Sequence, residues 1–412
     1  MAFIQLRYGS GTIPFEHDEN RFEVLAPEAP QKALTDIEIG ERLDAPINSE
    51  SLENIVKAGE TVLFIVPDAT RQAGAGQVVN LLVRRLIANG TAPHEMAIIF
   101  ATGIHRSATD AEKQEILTPF IAQRIKTLDH NARDLMQLMH VGETSGGIRV
   151  DLNRALFEFN HVVLIGGVSF HYFAGFTGGR KLVCPGLASS KTISATHKLA
   201  FDCENLDRRS GVGTGLLDGN AVHEAFVEAA SKTKIAFAVN TIVNDDGDVA
   251  DLFCGDWIKS HQAACDAFSD QHSISISEKR DLVIVSCGGF PYDINMIQAH
   301  KSLNAASHAC SEGGTIILLA ECRDGLGRDD FLNWFDAADG RDLALKLCEK
   351  YQVNGQTAWN LLRKAERYRI EAISSLKGDV LEKMRVKKVN EILRTDGGGY
   401  IIPNASRLKI EY

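Results

Sequence analysis

No run in this chain reaches the roughly 18 consecutive apolar residues that a membrane-spanning helix needs; the longest candidate, near 161–176, is interrupted by His171 and several glycines. No long basic block exists either. The 44 Lys and Arg against 54 Asp and Glu leave a formal charge of −10, which argues against nucleic acid or an anionic membrane as partner. A small anionic ligand would therefore need local positive charge inside a cleft. The opening MAFIQLRYGSG has one basic residue and too short an apolar run for a secretory signal, so a cytoplasmic protein is expected. The eight cysteines, at 184, 203, 254, 265, 287, 310, 322 and 348, form no CxxC pair and keep no regular spacing. This excludes a zinc or disulfide framework and predicts buried, reduced thiols, with Cys184 notable only for lying three residues from Lys181. Glycine-rich nucleotide signatures fail as well. GSG at 9–11, GAG at 74–76 and GVGTG at 211–215 lack the third glycine of a dinucleotide fingerprint in a strand–turn–helix setting, and no Walker lysine motif occurs.

What is present is an ordinary globular composition, 44% hydrophobic and 24% charged, in 412 residues, too many for one core and suggestive of two domains. Runs rich in Val, Ile and Leu occur at 61–67, 96–102, 161–167, 282–288 and 314–320. Each has strand length, is apolar on both faces and is separated from the next by helix-compatible stretches such as 76–89 and 109–126. That alternation predicts an α/β fold of two domains, each a largely parallel sheet flanked by helices, with the active site in the interdomain cleft. The polar segment 268–281 interrupts the pattern. It divides an N-terminal domain, 1–272, from a C-terminal domain, 273–400, with 401–412 as a tail that could return to either. Residues 355–394 read as helical, with Lys383, Arg385, Lys387 and Lys388 on a solvated face.

In open parallel sheets ligands bind beyond the carboxyl ends of the strands. The first run is followed by Asp68-Ala69-Thr70-Arg71, the second by Gly103-Ile104-His105-Arg106, the third by His171, and the fourth by Gly288-Gly289-Phe290-Pro291-Tyr292-Asp293. A lone histidine after a strand is ordinarily a hydrogen-bonded loop residue, and Asp68 with Arg71 could be no more than a helix cap and a surface cation. Four strand ends bearing ionisable groups point together to a ligand. Residues 171–197 further gather His171, Lys181 and His197 around a Gly178-Gly179 turn, an assembly of base, amine and metal ligand.

DATR (68–71), TGIHR (102–106), HYFAGFTGGRK (171–181) with Pro185-Gly186, His197, and GGFPYDINMIQAHK (288–301) together resemble the nickel-dependent lactate racemase family. The resemblance extends over most of the chain, and the long 171–181 block is its most specific part. It implies nickel held in a pincer cofactor, pyridinium-3,5-bisthiocarboxylic acid mononucleotide, that a lysine at the position of Lys181 can carry covalently and whose metal a histidine at the position of His197 ligates. Asp68, Ala69, Thr70 and Arg71 fall at the family's cofactor-binding loop. His105 and His171 match its proton donor/acceptor pair, and Gln298 and Lys301 match positions that bind substrate.

The implied activity is inversion of C2 of a 2-hydroxy acid. A base takes the hydroxyl proton while hydride leaves for the cofactor, giving a planar 2-keto acid open on both faces. The implied partners are that small-molecule substrate and the proteins that synthesise the cofactor. Two other readings stay open: an NAD-dependent 2-hydroxyacid dehydrogenase, and a nickel-pincer-binding protein without turnover. The pair of histidines favours an enzyme, and the missing fingerprint disfavours NAD.

Overall fold

The computed structural model describes residues 1–27, 31–69, 71–392 and 397–412. Two compact units emerge, one of Met1–Glu28, Phe201–Arg209 and Ser269–Tyr412, the other of Ala29–Ala200 and Ser210–Phe268. Each is α/β, built on a parallel-dominated six-stranded sheet.

In the unit of residues 29–200 and 210–268 the strand order is Val249–Gly255, Ile235–Val243, His161–Gly167, Val62–Pro67, Met96–Ala101, Lys126–Asp129. Only the Val249–Gly255 edge runs antiparallel. Val62–Pro67 is buried at every position because helices cover both faces of the sheet, which is why its sequence is a continuous apolar run rather than an alternation. The chain moves outward from this strand in both directions, to Met96–Ala101 on one side and His161–Gly167 on the other. That switch point opens a crevice at the carboxyl ends, beside Asp68 and the loop that starts at Val168. Helix Ala75–Ala88 begins after Gly74, whose φ of 57° is left-handed, and a Cβ on Gly76 would lie 2.3 Å from the Ile116 carbonyl. The GAG triplet thus permits close helix packing.

The second sheet is wholly parallel, in the order Lys387–Lys388, Arg369–Ile373, Cys310–Leu319, Arg280–Ser286, Gly399–Ile402, Phe22–Val24. The N-terminal residues group with this unit because Phe22–Val24 pairs alongside Gly399–Ile402, and the last strand, Lys409–Glu411, pairs with Ser273–Ser275. The five apolar runs are all strands of the two sheets.

Three expectations need correction. The stretch 109–126 is two short helices, Asp110–Ile116 and Pro119–Arg124, since Leu117 is extended and Pro119 can only start a helix anew. The 355–394 helix stops at Arg367. Residues Arg369–Ile373 become a strand, because Ile370, Ala372 and Ile373 are drawn into the sheet beside Cys310–Leu319. Finally, two of the cysteines are not free thiols: Cys203 and Cys348 form a disulfide across 145 residues, while the other six are buried. No composition argument could anticipate a pairing over that distance. Titration of the denatured protein with a thiol reagent is expected to count six thiols without reductant and eight with it; eight without reductant would refute the bridge.

Among the described residues no helix is long and apolar enough to cross a membrane.

Candidate active site

The loop after His161–Gly167 makes a two-residue hairpin, Phe170–His171 against Gly175–Phe176. At its tip the backbone N–H of Ala174 points at His171 Nδ1 (3.2 Å), with that of Phe173 at 3.5 Å. The Ala174 carbonyl accepts from the buried Arg180 guanidinium at 2.7 Å, so this one residue is held through both its N–H and its carbonyl. Arg180 also meets His261 at 3.0 Å, and burial brings its pKa down to about 10. It is thereby a scaffold of the hairpin. Arg106, the other arginine near the motifs, pairs with Glu112 at 2.6 Å and holds that carboxyl down at about 2.

The Phe173 ring is where the sequence candidates meet. His171 lies edge-on to it at 4.4 Å, His197 edge-on at 5.2 Å, and the Lys181 ammonium sits 5.7 Å from its centroid. Phe226 lies 5.5 Å from His197 and 5.8 Å from Lys181 Nζ. Lys181 rides on the short turn Gly179–Leu182. Its glycine neighbours are required by the protein itself: Gly178 has φ 74° and its Cβ would lie 3.1 Å from the Gly167 carbonyl, while a Cβ on Gly179 would strike the His261 ring at 2.6 Å. His197 ends the helix Ser190–Lys198, whose N-cap is Ser189.

The second pair forms at the neighbouring strand ends. Asp68, directly after Val62–Pro67, is buried and lies 2.7 Å from His105 Nδ1, on the loop after Met96–Ala101. The His105 side chain is 40% exposed, so its far nitrogen is open to a ligand while its near one is fixed. The two loops are tied to the hairpin region. The Gly103 N–H donates to the Gly186 carbonyl (2.8 Å), and the Gln72 carbonyl is so close to Gly167 that a Cβ there would approach it to 2.8 Å. Ala69 and Arg71 share the turn with Asp68, the Arg71 N–H donating to the Asp68 carbonyl at 3.1 Å. Thr70 lies outside the described residues. Gln298 and Lys301 belong to the other unit, where Lys301 Nζ donates to Gln298 Oε1 at 2.5 Å.

Hydrogen bonds settle what each imidazole presents. His197 Nδ1 donates to the Ile193 carbonyl (2.8 Å), which leaves the Nε2 lone pair available; burial, and then the Lys181 charge, hold the ring neutral with a pKa of about 3. His105 turns its Nδ1 toward the Asp68 carboxylate, so the Nδ1 proton faces an acceptor. His171 is the reverse. Its Nδ1 accepts a backbone N–H, so a proton on this ring sits on Nε2. Cys184, beside Lys181 in sequence, is driven by burial up to about 12 and is a core thiol.

Three of these features had no sequence signal strong enough to find them: the Asp68–His105 pair, the Phe173 and Phe226 rings, and the Arg180 clamp. Aromatic residues inside a motif are ordinarily core, and nothing in a single chain marks Asp68 as the partner of a histidine 37 residues away.

The fold and residue set are those of a two-domain α/β protein with an imidazole-rich site at the strand ends. Two family models match the chain, the lactate racemase N-terminal domain over residues 8–208 and the lactate racemase C-terminal domain over 276–393. The chain belongs to the lactate racemase family. It is similar to the lactate racemase of Lactiplantibacillus plantarum, 33% identical over 83% of this chain and 80% of the relative, and to that of Thermoanaerobacterium thermosaccharolyticum, 28% identical over 85% and 82%. The solved structure of the latter's apoprotein superposes with a TM-score of 0.89 at 25% identity, covering 100% of both chains. A Thermotoga maritima protein shares the fold at a TM-score of 0.74 and 20% identity, over 93% of this chain and 100% of its own.

Proposed function

We propose that this protein is a cytoplasmic isomerase that inverts C2 of a 2-hydroxy acid, using a nickel pincer nucleotide. The observation that carries the reading is the convergence of His171, Lys181 and His197 on the Phe173 ring, with an Asp68–His105 pair at the neighbouring strand ends, His105 Nδ1 facing a carboxylate where His171 Nδ1 faces a backbone N–H. The residues fit the cofactor. Lys181 offers an amine between two aromatic rings to a ring-bearing acyl group, and His197 offers a single neutral imidazole nitrogen to a metal. Among the described residues no cluster of three or more His, Cys, Asp or Glu could hold a metal ion, so nickel bound through His197 must bring its other ligands with it, as a pincer does. Asp68, Ala69, Thr70 and Arg71 would receive the mononucleotide, Arg71 as the cation for its phosphate. Proteins that assemble the cofactor are then required partners.

When bound, the cofactor supplies a reversible acceptor for hydride. The chain's own residues move the proton. His105 Nε2 takes the hydroxyl proton, with Asp68 orienting the ring and stabilising the imidazolium that forms. His171 Nε2 gives a proton to the keto oxygen from the other side, and the roles exchange in the reverse direction. Gln298 and Lys301 would hold the substrate carboxylate, a neutral donor beside a cation.

Protein produced with the cofactor-synthesis proteins should interconvert the enantiomers of a 2-hydroxy acid without added NAD, as followed by chiral chromatography. Net formation of 2-keto acid with NADH would replace this reading by a dehydrogenase. Replacing His197 by alanine should lower the nickel content of the purified protein at least about tenfold, given that loss of even an outer partner of a metal ligand costs 10–100-fold in affinity. Undiminished nickel would remove His197 as its ligand.

A further inference from the structure

The side chain of Asn220 is fully buried, and every hydrogen-bonding position on it is used. Its Oδ1 accepts the N–H groups of Val222 (3.1 Å) and His223 (3.3 Å), which makes it the N-cap of helix Ala221–Ala230. Its Nδ2 donates to the carbonyls of Phe173 and Leu216, both at 2.9 Å. Two backbone donors at one end and two backbone acceptors at the other leave the amide a single orientation. Capping alone does not call for asparagine, because serine or aspartate caps a helix about as well. The two amide donors are what those residues could not supply.

One of those donors acts on the hairpin tip. The Phe173 carbonyl and the Ala174 N–H belong to the same trans peptide and point in opposite directions, so holding the carbonyl at Asn220 aims the N–H at His171 Nδ1. The Phe173 N–H, at 3.5 Å from that nitrogen, is the weaker of the two contacts. Arg180 does not fix this plane, since its bond is to the Ala174 carbonyl, in the next peptide. The other donor secures the segment packed on the same turn. There the Gly215 N–H donates to the Gly175 carbonyl at 3.0 Å, and a Cβ on Gly175 would lie 2.2 Å from the Leu216 carbonyl. Asn220 thus ties the hairpin to the helix whose Phe226 flanks His197 and Lys181.

We propose that Asn220 is a positioning residue for His171: by donating to the Phe173 carbonyl it fixes the tip peptide, and with it the Nε2–H tautomer of the ring. Were the peptide to turn over, its carbonyl would face Nδ1, and a carbonyl can only accept, so the proton would move to Nδ1 and leave Nε2. The consequence for turnover rests on the racemase reading above, whereas the tautomer does not.

Ring ¹⁵N spectra of the histidine-labelled, cofactor-free full chain read the tautomer at about pH 9, where an ordinary imidazole is neutral. His171 is identified as the pair of signals missing from His171→Ala. The parent should carry its proton on Nε2. Asn220→Ser, which keeps a cap and removes both amide donors, should displace the shifts toward the Nδ1–H form. Asn220→Asp should do the same, because its second oxygen meets the Phe173 carbonyl as acceptor against acceptor; having the shape of asparagine and an equal cap, it carries the comparison if the serine variant does not fold. Val222→Ala, which opens space at a buried position of the same helix and spares both donors, should leave the His171 signals where they are. In the cofactor-loaded enzyme Asn220→Ser should lower kcat about 10–100-fold, the scale on which outer hydrogen-bond partners of a functional histidine act, with KM and nickel content unchanged. An Nδ1–H ring in the parent, signals unmoved in the Asn220 variants, or an equal displacement in Val222→Ala overturns the assignment. If the loaded parent interconverts no 2-hydroxy acid, the racemase reading fails and the spectra still decide the role of Asn220.

Discussion

Replacing His171 by alanine is expected to slow the interconversion of 2-hydroxy acid enantiomers by about 10²–10⁴-fold, the usual contribution of a positioned proton donor. Nickel content should not change. The ring of His171 touches Phe173 from one side and that of His197 from another, and the His197 tautomer is set by Ile193, on its own helix, so deleting the first leaves the second in place. The rate should fall in both directions together, because the acid of one direction is the base of the other. His105→Ala should behave in the same way. Chiral chromatography of each enantiomer, with metal analysis of the same samples, reads both quantities. A rate within about tenfold of the parent would remove the residue from the proton pathway, being less than general acid–base catalysis normally contributes.

Much of the frame behind that expectation can be read from the chain, because parallel strands buried on both faces leave continuous apolar runs, and the residues after them mark one rim of the sheet. Asp68, His105 and His171 are legible for that reason. His197 and Lys181 are different. Neither follows a strand directly; their grouping around Gly178-Gly179 suggests an amine and a metal ligand, and the family resemblance alone gives each a particular role. Long-range pairings left no trace: Cys203 with Cys348, and the edge strand Phe22–Val24 with Gly399–Ile402, depend on where the whole chain folds back. The same holds for Lys364. In the sequence it is one of several cations on an amphipathic helix, and only its burial distinguishes it from a solvated neighbour such as Arg363, which pairs with Glu366. The Gly178-Gly179 turn illustrates a further limit, since glycine reports a close approach without saying to what. Here the neighbours are the Gly167 carbonyl and the His261 ring.

Asp68→Asn is the substitution that separates orientation from proton transfer. An aspartate at 2.7 Å accepts the Nδ1 proton of His105 and so keeps the lone pair on Nε2, whereas an asparagine can donate its amide N–H to Nδ1 and turn the ring into the opposite tautomer. The base would then present a proton where it needs an acceptor. Loss of the correct tautomer in an aspartate–histidine pair costs about 10⁴-fold in kcat in the serine protease triad, and His105, being more exposed and freer to turn, should lose about 10²–10³-fold. The effect should fall on kcat more than on KM, since Asp68 is assigned to the base and to the cofactor loop rather than to the substrate. If Asp68 works through His105, the double variant Asp68→Asn, His105→Ala should be no slower than His105→Ala alone. Additive losses in that cycle, or nickel content that falls with Asp68→Asn, would instead assign the aspartate to holding the cofactor, and the tautomer argument would be wrong.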